Sequence, residues 1–201
     1  MSRKRKSLKH LLVIFIGTFI SAALVGSGSE LLVKRTTMIV AWVLLLVVIG
    51  VGILFDIIGT AAAAATETPH HARAANKVFG AKQAVRLVRN ADTVANFSND
   101  IVGDVAGTLS GAMAATIIMD LLRLYPVLDD KVIILNTIML ALVASITVTG
   151  KAFGKSLAIS EADEIIFVVG KIVATFENLT GVDTSKKKKK GGKKSGDAGK
   201  N

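Results

Sequence analysis

The clearest apolar run in the chain limits most strongly what this protein can fold into. It extends from Met38 to Gly59, reads MIVAWVLLLVVIGVGILFDIIG, and contains Asp56 as its only charged residue. A helix that crosses a bilayer needs about 20 residues of this kind. Trp42 lies near one end, where an interfacial ring is favoured. The run therefore predicts a transmembrane helix.

A second run, from Asn99 to Tyr125, carries a small residue at every fourth position. On a helix this spacing places the small residues on one narrow face, which lets another helix approach closely within lipid. We therefore expect helix packing through Gly103, Gly107, Gly111 and Ala115. Asp100 and Asp104 lie at the start of this run, and carboxylates at membrane depth need a partner or a water-filled cavity.

Two further segments bring the predicted number of spans to four. Val132 to Thr149 forms the last span, and another apolar segment follows the basic leader at the N-terminus. The leader also resembles a signal peptide, so either the first span is retained or it is cleaved and three spans remain. The hydrophobic content of 51% and the net charge of +10 fit a membrane protein whose charges lie outside the bilayer. The predicted fold class is all-α, an integral membrane helix bundle.

The segments outside the spans have amphipathic patterns. Residues 60–98 carry apolar and basic side chains at helical spacing, interrupted at Pro69 and Gly80. This predicts one or two short helices at the cytoplasmic surface, with their basic side toward lipid headgroups. A stripe from Ile165 to Phe176 predicts a juxtamembrane helix lying along the membrane, and Ser160 is placed to cap its start.

The C-terminal residues predict a disordered tail, because residues 183–201 are basic and of low complexity. Next to a membrane such a tail binds anionic lipid, through Lys186, Lys187, Lys188, Lys189 and Lys190. Nucleic acid is not an expected partner, since the tail has no aromatic residues on which bases could stack. The distribution of lysine and arginine predicts a multi-pass protein of the cell (plasma) membrane with a cytoplasmic C-terminus.

Nothing in the sequence indicates an enzyme. The chain has no cysteine, which excludes disulfides, thiolate metal sites and cysteine nucleophiles. It contains no phosphate-binding loop, dinucleotide fingerprint or HExxH pattern. His70 and His71 are adjacent, so on a helix they point about 100° apart, and a solvated pair is favoured over a metal site. These features alone give no reason to expect a cofactor.

The junction that closes the last span, from Gly150 to Ala158, reads GKAFGKSLA. It resembles the Gly-Glu-x-x-Pro-Lys-x-x-Ala junction in the membrane domain of the CorB/CorC and CNNM magnesium transporters. Likewise, IVGDVAGTLSGAMAA resembles the second span of that family, GAKQAVRLVRNADTVANF its cytoplasmic linker, and ISEADEIIFVVGKIV its juxtamembrane helix. The resemblance covers about Met38 to Gly181 and implies a CorB-like membrane domain at 38–182 without cytoplasmic regulatory domains. The leader with the first span or signal at 1–37 and the tail at 183–201 are additions to the family pattern.

The resemblance also implies a homodimer and a Mg²⁺ site. In the family a carboxylate at the junction, a hydroxyl and an asparagine help to hold the ion, as expected for a cation that prefers oxygen ligands. The corresponding ion-site candidates are Thr60, Asn99, Asp100, Asp104 and Lys151, and the register across residues 99–104 stays open. This chain departs from the family pattern, since Lys151 stands in the carboxylate position and Gly154 in the proline position. An ammonium cannot ligate Mg²⁺ and repels it.

Two hypotheses for Lys151 follow. Its ammonium occupies the cation position and pairs with Asp56, Asp100 or Asp104, or its side chain extends to the headgroups. The leading functional hypothesis is a CorB-like membrane domain concerned with divalent cations (Mg²⁺), either as a reduced transporter or as a descendant that is transport-deficient because Lys151 replaces the acidic ligand. The alternative is a non-transporting membrane scaffold or accessory subunit that binds a partner protein and anionic lipid.

Overall fold

The part of the chain that the structure describes is helical. A computed structural model describes residues 37–181 and, ahead of them, residues 15–17, 19, 20, 23 and 27. In chain order the elements are α1 (Met38–Ala64), α2 (Glu67–Ala75), α3 (Ala81–Arg89), α4 (Ala91–Ala95), a π-helical segment (Asn96–Gly103), α5 (Asp104–Leu124), a 3-10 helix (Pro126–Lys131), α6 (Val132–Ser160) and α7 (Ala162–Thr180). The predicted all-α class is confirmed for these residues. Most of the first predicted span and the tail at 183–201, with its five consecutive lysines, lie outside them.

Three helical stretches are long and apolar enough to cross a membrane: Met38–Ala64, Ala91–Leu124 and Pro126–Ser160. They contain the three spans predicted from Met38 onward. α1 is the central helix, because it contacts the π-helical segment, α5, α6 and α7. The two other stretches pack beside it and against each other.

α6 extends beyond the predicted end of the last span at Thr149 and continues to Ser160. The prediction ended this span before Gly150 and treated residues 150–158 as a junction outside it. Gly150 and Gly154 lie within the helix, where their missing side chains let α6 approach α1 closely. The predicted cap at Ser160 is wrong, since its hydroxyl donates back to the Leu157 carbonyl at 3.1 Å.

The segment after α1 forms two well-defined helices before the second span. Pro69 does not interrupt a helix as predicted; it lies in the first turn of α2, where its missing N–H would have had no intrahelical partner. The predicted interruption at Gly80 was correct. Gly80 is the N-cap residue just before α3, and its backbone is in the left-handed region at φ +83°. A side chain there would also meet the Lys171 backbone.

Two apolar clusters hold the helices together. The first joins α1, α5 and α6 within the candidate spans, with Leu45, Ile117 and Met139 among its buried residues. Lipid is as apolar as these side chains, so this cluster depends on close packing. The second joins the end of α1 to α3, α6 and α7, with Ile166 completely buried and Phe167 beside it. α7 lies against both α1 and α3. The segment that follows α1 and the segment that follows α6 therefore lie on the same side of the bundle.

Candidate functional site

Two glycines of α6 position Lys151 inside the bundle. A methyl group added at Gly154 would lie 2.7 Å from Ile57 Cγ1, and one added at Gly150 would overlap the Ile53 side chain. The backbone of α6 is therefore in direct contact with α1 on both sides of Lys151. The Lys151 side chain is directed toward Gly103, with Nζ only 3.5 Å from where a methyl group at Gly103 would lie.

Lys151 forms an ion pair with Asp56 of α1. Its Nζ lies 3.9 Å from Asp56 Oδ1, and the Asp56 side chain is only 6% exposed whereas that of Lys151 is 25% exposed. A buried carboxylate without a nearby cation is strongly unfavourable. At this separation and an effective dielectric constant of about 20, the attraction between two unit charges is about 4 kcal/mol. Lys151 is thus the counter-ion that allows Asp56 to be buried.

Asn99 reaches the same face of α1 from the π-helical segment. Its side-chain amide lies against Gly59, where an added methyl group would overlap it. Gly59 follows Asp56 by three residues, so both lie on nearly the same face of α1. π-helical turns are rare and occur frequently at functional sites. Here the π-helical segment contacts α1 and carries Asn99 onto the side of the ion pair.

The structure brings together some of the predicted ion-site residues and separates others. Lys151 and Asn99 both face α1 near Asp56, and Thr60 lies half-buried one residue after Gly59. Asp100 and Asp104 are exposed and form no ion pair with Lys151. Of the three carboxylates considered as partners for Lys151, Asp56 is the one that the structure selects.

The predicted glycine row packs only in part. Gly103 is buried next to Lys151, but a methyl group at Gly107 or Gly111 would have no neighbour within 4 Å in the described chain. Within the bundle α5 packs through its other face, which includes Leu109, Met113 and Ile117. The predicted close contact through Gly107, Gly111 and Ala115 with another helix therefore stays a prediction, since no described residue packs against Gly107 or Gly111.

The arrangement offers oxygen atoms to a cation. Asp56 Oδ2 and Asn99 Oδ1 are buried and accept no hydrogen bond from any described residue. Oxygens of these types are suitable ligands for Mg²⁺. The described residues contain no group of three or more His, Asp or Glu that could hold a metal ion, so a cation here would rely on one carboxylate with amide and hydroxyl oxygens. The cation that the bundle does place beside them is the Lys151 ammonium.

Sequence reasoning missed two features of this region. The first is Gly59, which lies against the Asn99 side chain. Its only signal in the sequence was its position three residues after Asp56 in the apolar run. Asn136 of α6 also has a buried side-chain oxygen without a partner among the described residues. An amide inside an apolar span is itself a signal, since polar groups there usually pair or serve a function.

A second polar cluster joins α2 to α7. The Thr66 N–H donates to Asp163 Oδ1 at 2.8 Å and the Thr66 hydroxyl to Asp163 Oδ2 at 3.2 Å. His70 is fully buried beside them, with Nε2 3.5 Å from Asp163 Oδ1 and no hydrogen bond to either ring nitrogen. Burial lowers the pKa of His70 below its usual 6.5; Asp163 and Glu164 oppose this shift and Arg73 adds to it.

Three of the basic residues predicted to face lipid headgroups form ion pairs with carboxylates of the chain. Arg73 pairs with Glu164, Arg86 with Glu177, and Arg89 with Glu67. The hydrogen bonds from Arg89 and His71 lower the pKa of Glu67. Arg73 and Lys171 each lie 4.3 Å from the centre of the Phe167 ring, a favourable cation–π distance. These contacts fix α7 to α2 and α3.

The four sequence strings quoted above lie in α3 and α4, in the π-helical segment and α5, in α6, and in α7. Comparison of the whole chain with protein-family models, with curated proteins and with solved structures gives no match.

Proposed function

We propose that this chain is a multi-pass membrane protein of the CorB-like type that does not carry Mg²⁺ in its natural form, because the Lys151 ammonium occupies the position of the cation. The Asp56–Lys151 ion pair is the observation that carries this proposal. A charge that is covalently attached to α6 neutralises Asp56 and cannot leave the bundle. A divalent ion entering the same position would be repelled by the ammonium, with twice the energy that a monovalent ion would experience.

The residues around the pair support an ancestral cation site. The unpartnered oxygens of Asp56 and Asn99 provide two ligands of the type that Mg²⁺ binds. Lys151 stands where the family has its acidic ligand, so replacing it by a carboxylate would supply a third. We expect Mg²⁺ binding to be recovered by that single change.

The proposed topology extends beyond the three described spans. It has four spans with both termini in the cytoplasm, or three with the new N-terminus outside if the first is cleaved. The plasma membrane is the proposed location. A homodimer is part of the proposal, since no described residue packs against the face with Gly107 and Gly111 and small residues favour contact between helices in lipid.

Mg²⁺ flux into proteoliposomes that contain a Mg²⁺-sensitive dye tests the proposal. The natural protein, Lys151→Glu and Lys151→Met should be compared, with Lys155→Glu as the matched control. Lys155 lies one turn later on α6, is exposed and forms no ion pair with a described residue. We expect flux from Lys151→Glu alone, because this change supplies a ligand and removes the repulsion, whereas methionine only removes the charge.

Size-exclusion elution and Trp42 fluorescence check that each variant is folded. Flux in the natural protein would contradict the proposed block by Lys151. A folded Lys151→Glu variant that neither binds nor carries Mg²⁺ would contradict the latent site.

A second candidate function is a non-transporting scaffold or accessory subunit. The open glycine face of α5 favours it, because such a face accommodates a helix of another protein as readily as a second copy. The two candidates differ in what Lys151→Glu does, since a scaffold gains no flux from this change. Covalent crosslinking from a cysteine placed at Gly111 in native membranes would distinguish a second copy from a different protein.

A further inference from the structure

A cavity of about 530 Å³ lies between α1, the π-helical segment and α5. Pockets that bind small ligands have volumes of about 300–1,000 Å³, so this one is large enough to hold a ligand. The described residues on its wall are mostly aliphatic, with one phenyl ring, and none has a polar side chain. α1 contributes Val47 and Val51, the π-helical segment Phe97 and Ile101, and α5 Val105 and Leu109.

The cavity lies in the part of the bundle that hydrocarbon would surround in a membrane. Val51 is the middle residue of α1, which extends from Met38 to Ala64, and the cavity residues of α5 belong to the second candidate span. An ordered water needs two to four polar partners, and this wall offers no polar side chain. The chemistry of the wall therefore favours an apolar occupant.

The volume of the cavity distinguishes a single hydrocarbon chain from a helix. One turn of α-helix with its side chains fills at least about 420 Å³, given a diameter of about 10 Å and a pitch of about 5.4 Å, so the cavity has room for little more than one turn. An apolar protein cavity of about 150 Å³ takes up benzene, which corresponds to about 25 Å³ per carbon. At that ratio the cavity accommodates a chain of about 20 carbons, close to the length of a membrane acyl chain.

The surroundings of the cavity disfavour two other occupants. Gly17 of the N-terminal segment is itself a lining residue, so that segment borders the cavity. The proposed contact with a second copy uses Gly107 and Gly111. Gly107 lies two positions, or about 200°, from both Val105 and Leu109 of the cavity. A second copy packed on the glycine face therefore does not reach the cavity.

From these observations we propose that the cavity binds one acyl chain of a membrane lipid. The π-helical segment that presents Phe97 to the cavity also presents Asn99 to Gly59 of α1. A bound chain would therefore hold this segment, and with it Asn99, in place. The binding itself is separate from the Asp56–Lys151 pair and does not depend on cation transport.

Photolabelling of the full chain in liposomes tests the proposal. The probe is a phosphatidylcholine with a diazirine near the end of one acyl chain, present as a small fraction of the lipid, and labelled peptides are identified by mass spectrometry. Val51→Trp places an indole ring in the cavity, and Val51→Phe fills less of it. Leu46→Trp is the matched control, because Leu46 is exposed on the same helix, does not line the cavity and lies about 140° from Val51.

We expect the label to concentrate on Val105 and Leu109 of the cavity over the exposed face of α6 that includes Ile138. Val51→Trp should reduce the labelling of the cavity by at least about threefold, because the indole ring takes the space of the chain, whereas Leu46→Trp should leave it unchanged. Size-exclusion elution checks that each variant is folded. Where the tryptophan variant does not fold, Val51→Phe takes its place, with a smaller loss expected.

Two results would overturn the proposal. Labelling of the cavity that only equals that of the exposed α6 face, or that persists when the cavity is filled, would mean ordinary contact with bulk lipid. Since the chain has no cysteine, Val105→Cys provides the second check. Efficient disulfide formation between two copies of this variant would assign the cavity to a second copy of the chain.

Discussion

At the scale of single residues, His70 is a buried imidazole with no hydrogen bond to either ring nitrogen in the described part of the chain. The groups facing it are Asp163 and Glu164 of α7 and Arg73 of its own helix. Because burial lowers its pKa below 6.5, the unfolded chain binds the proton more tightly than the folded one. The stability contributed by neutral His70 is therefore complete above about pH 6.5 and is lost as the pH falls from there toward the folded pKa.

This predicts a pH-dependent loosening of α2 from α7. Backbone hydrogen exchange, corrected for its intrinsic pH dependence, should show less protection in both helices at pH 5.5 than at pH 7.5. The variant His70→Leu should show no such change, because it has nothing to protonate. His71→Leu is the matched control, since His71 is exposed and its loss should leave the effect in place. A pH response that persists in His70→Leu would assign the effect to another group.

Gly59 gives a second prediction at this scale. A methyl group at Gly59 would overlap the Asn99 side chain, and overpacking of this kind costs about 1–3 kcal/mol. Gly59→Ala should therefore lower the thermal stability in detergent, and Asn99→Ala should recover much of the loss by removing the overlapping amide. Gly107→Ala should have little effect, because the added methyl group would lie more than 4 Å from every described residue outside its own turn of helix. Additive losses from Gly59→Ala and Asn99→Ala would mean that the two residues are not in contact.

At the scale of the helices, the attachment of α7 to α3 depends on Glu177. Its carboxylate accepts from Arg86 at 2.6 Å and from Gln83 at 2.8 Å, and its side chain is only 11% exposed. Glu177→Ala leaves these donors without their acceptor and should cost about 1–3 kcal/mol in unfolding free energy. The exposed Asp120–Arg123 pair is the control, because Asp120→Ala should cost at most about 1 kcal/mol. Equal losses in urea unfolding would contradict a special role for Glu177.

The sequence predicted the spans well because lipid imposes a simple requirement. The run from Met38 to Gly59 is apolar over the length that a bilayer needs, and α1 forms there. What escaped prediction depends on contacts between helices. Gly150 and Gly154 look like helix breakers along the chain, yet they let α6 lie against Ile53 and Ile57. That contact extends α6 and directs Lys151 toward Asp56.

The sequence singled out Lys151 and three carboxylates as its possible partners, but not which of them it meets. Lys151 drew attention through the resemblance to the magnesium transporters, which implies a carboxylate at its position. Asn99, rather than Asp100 or Asp104, lies against α1 because it belongs to the π-helical segment. A π-helical turn changes the direction in which successive side chains point, and the spacing of apolar residues does not reveal such a turn. Likewise, Arg73 and Arg86 fit a lipid-facing pattern until the distant partners Glu164 and Glu177 are known.

At the scale of the whole molecule, the described residues form a bundle of candidate membrane spans and a small helical unit made of α2, α3 and α7. Their junction is the end of α1, where Ala61 and Ala62 are completely buried. The ion pair of Asp56 lies within the last two turns before this junction. A shift in the position of α1 or α6 caused by a substitution at Lys151 can therefore alter the packing of the helical unit directly, without a rearrangement of the rest of the bundle.

The contact between Thr66 and Asp163 has a consequence for how the protein is made. The two residues are 97 positions apart, so at ordinary elongation rates a ribosome needs roughly 5 to 20 seconds to reach the second after the first. During that interval α2 and α3 emerge without α7 and expose the surfaces that later bury His70 and Ala84. The unit can close only after α6, a candidate span, has been synthesised. An unfinished chain would therefore present an open surface to the proteases of the cell.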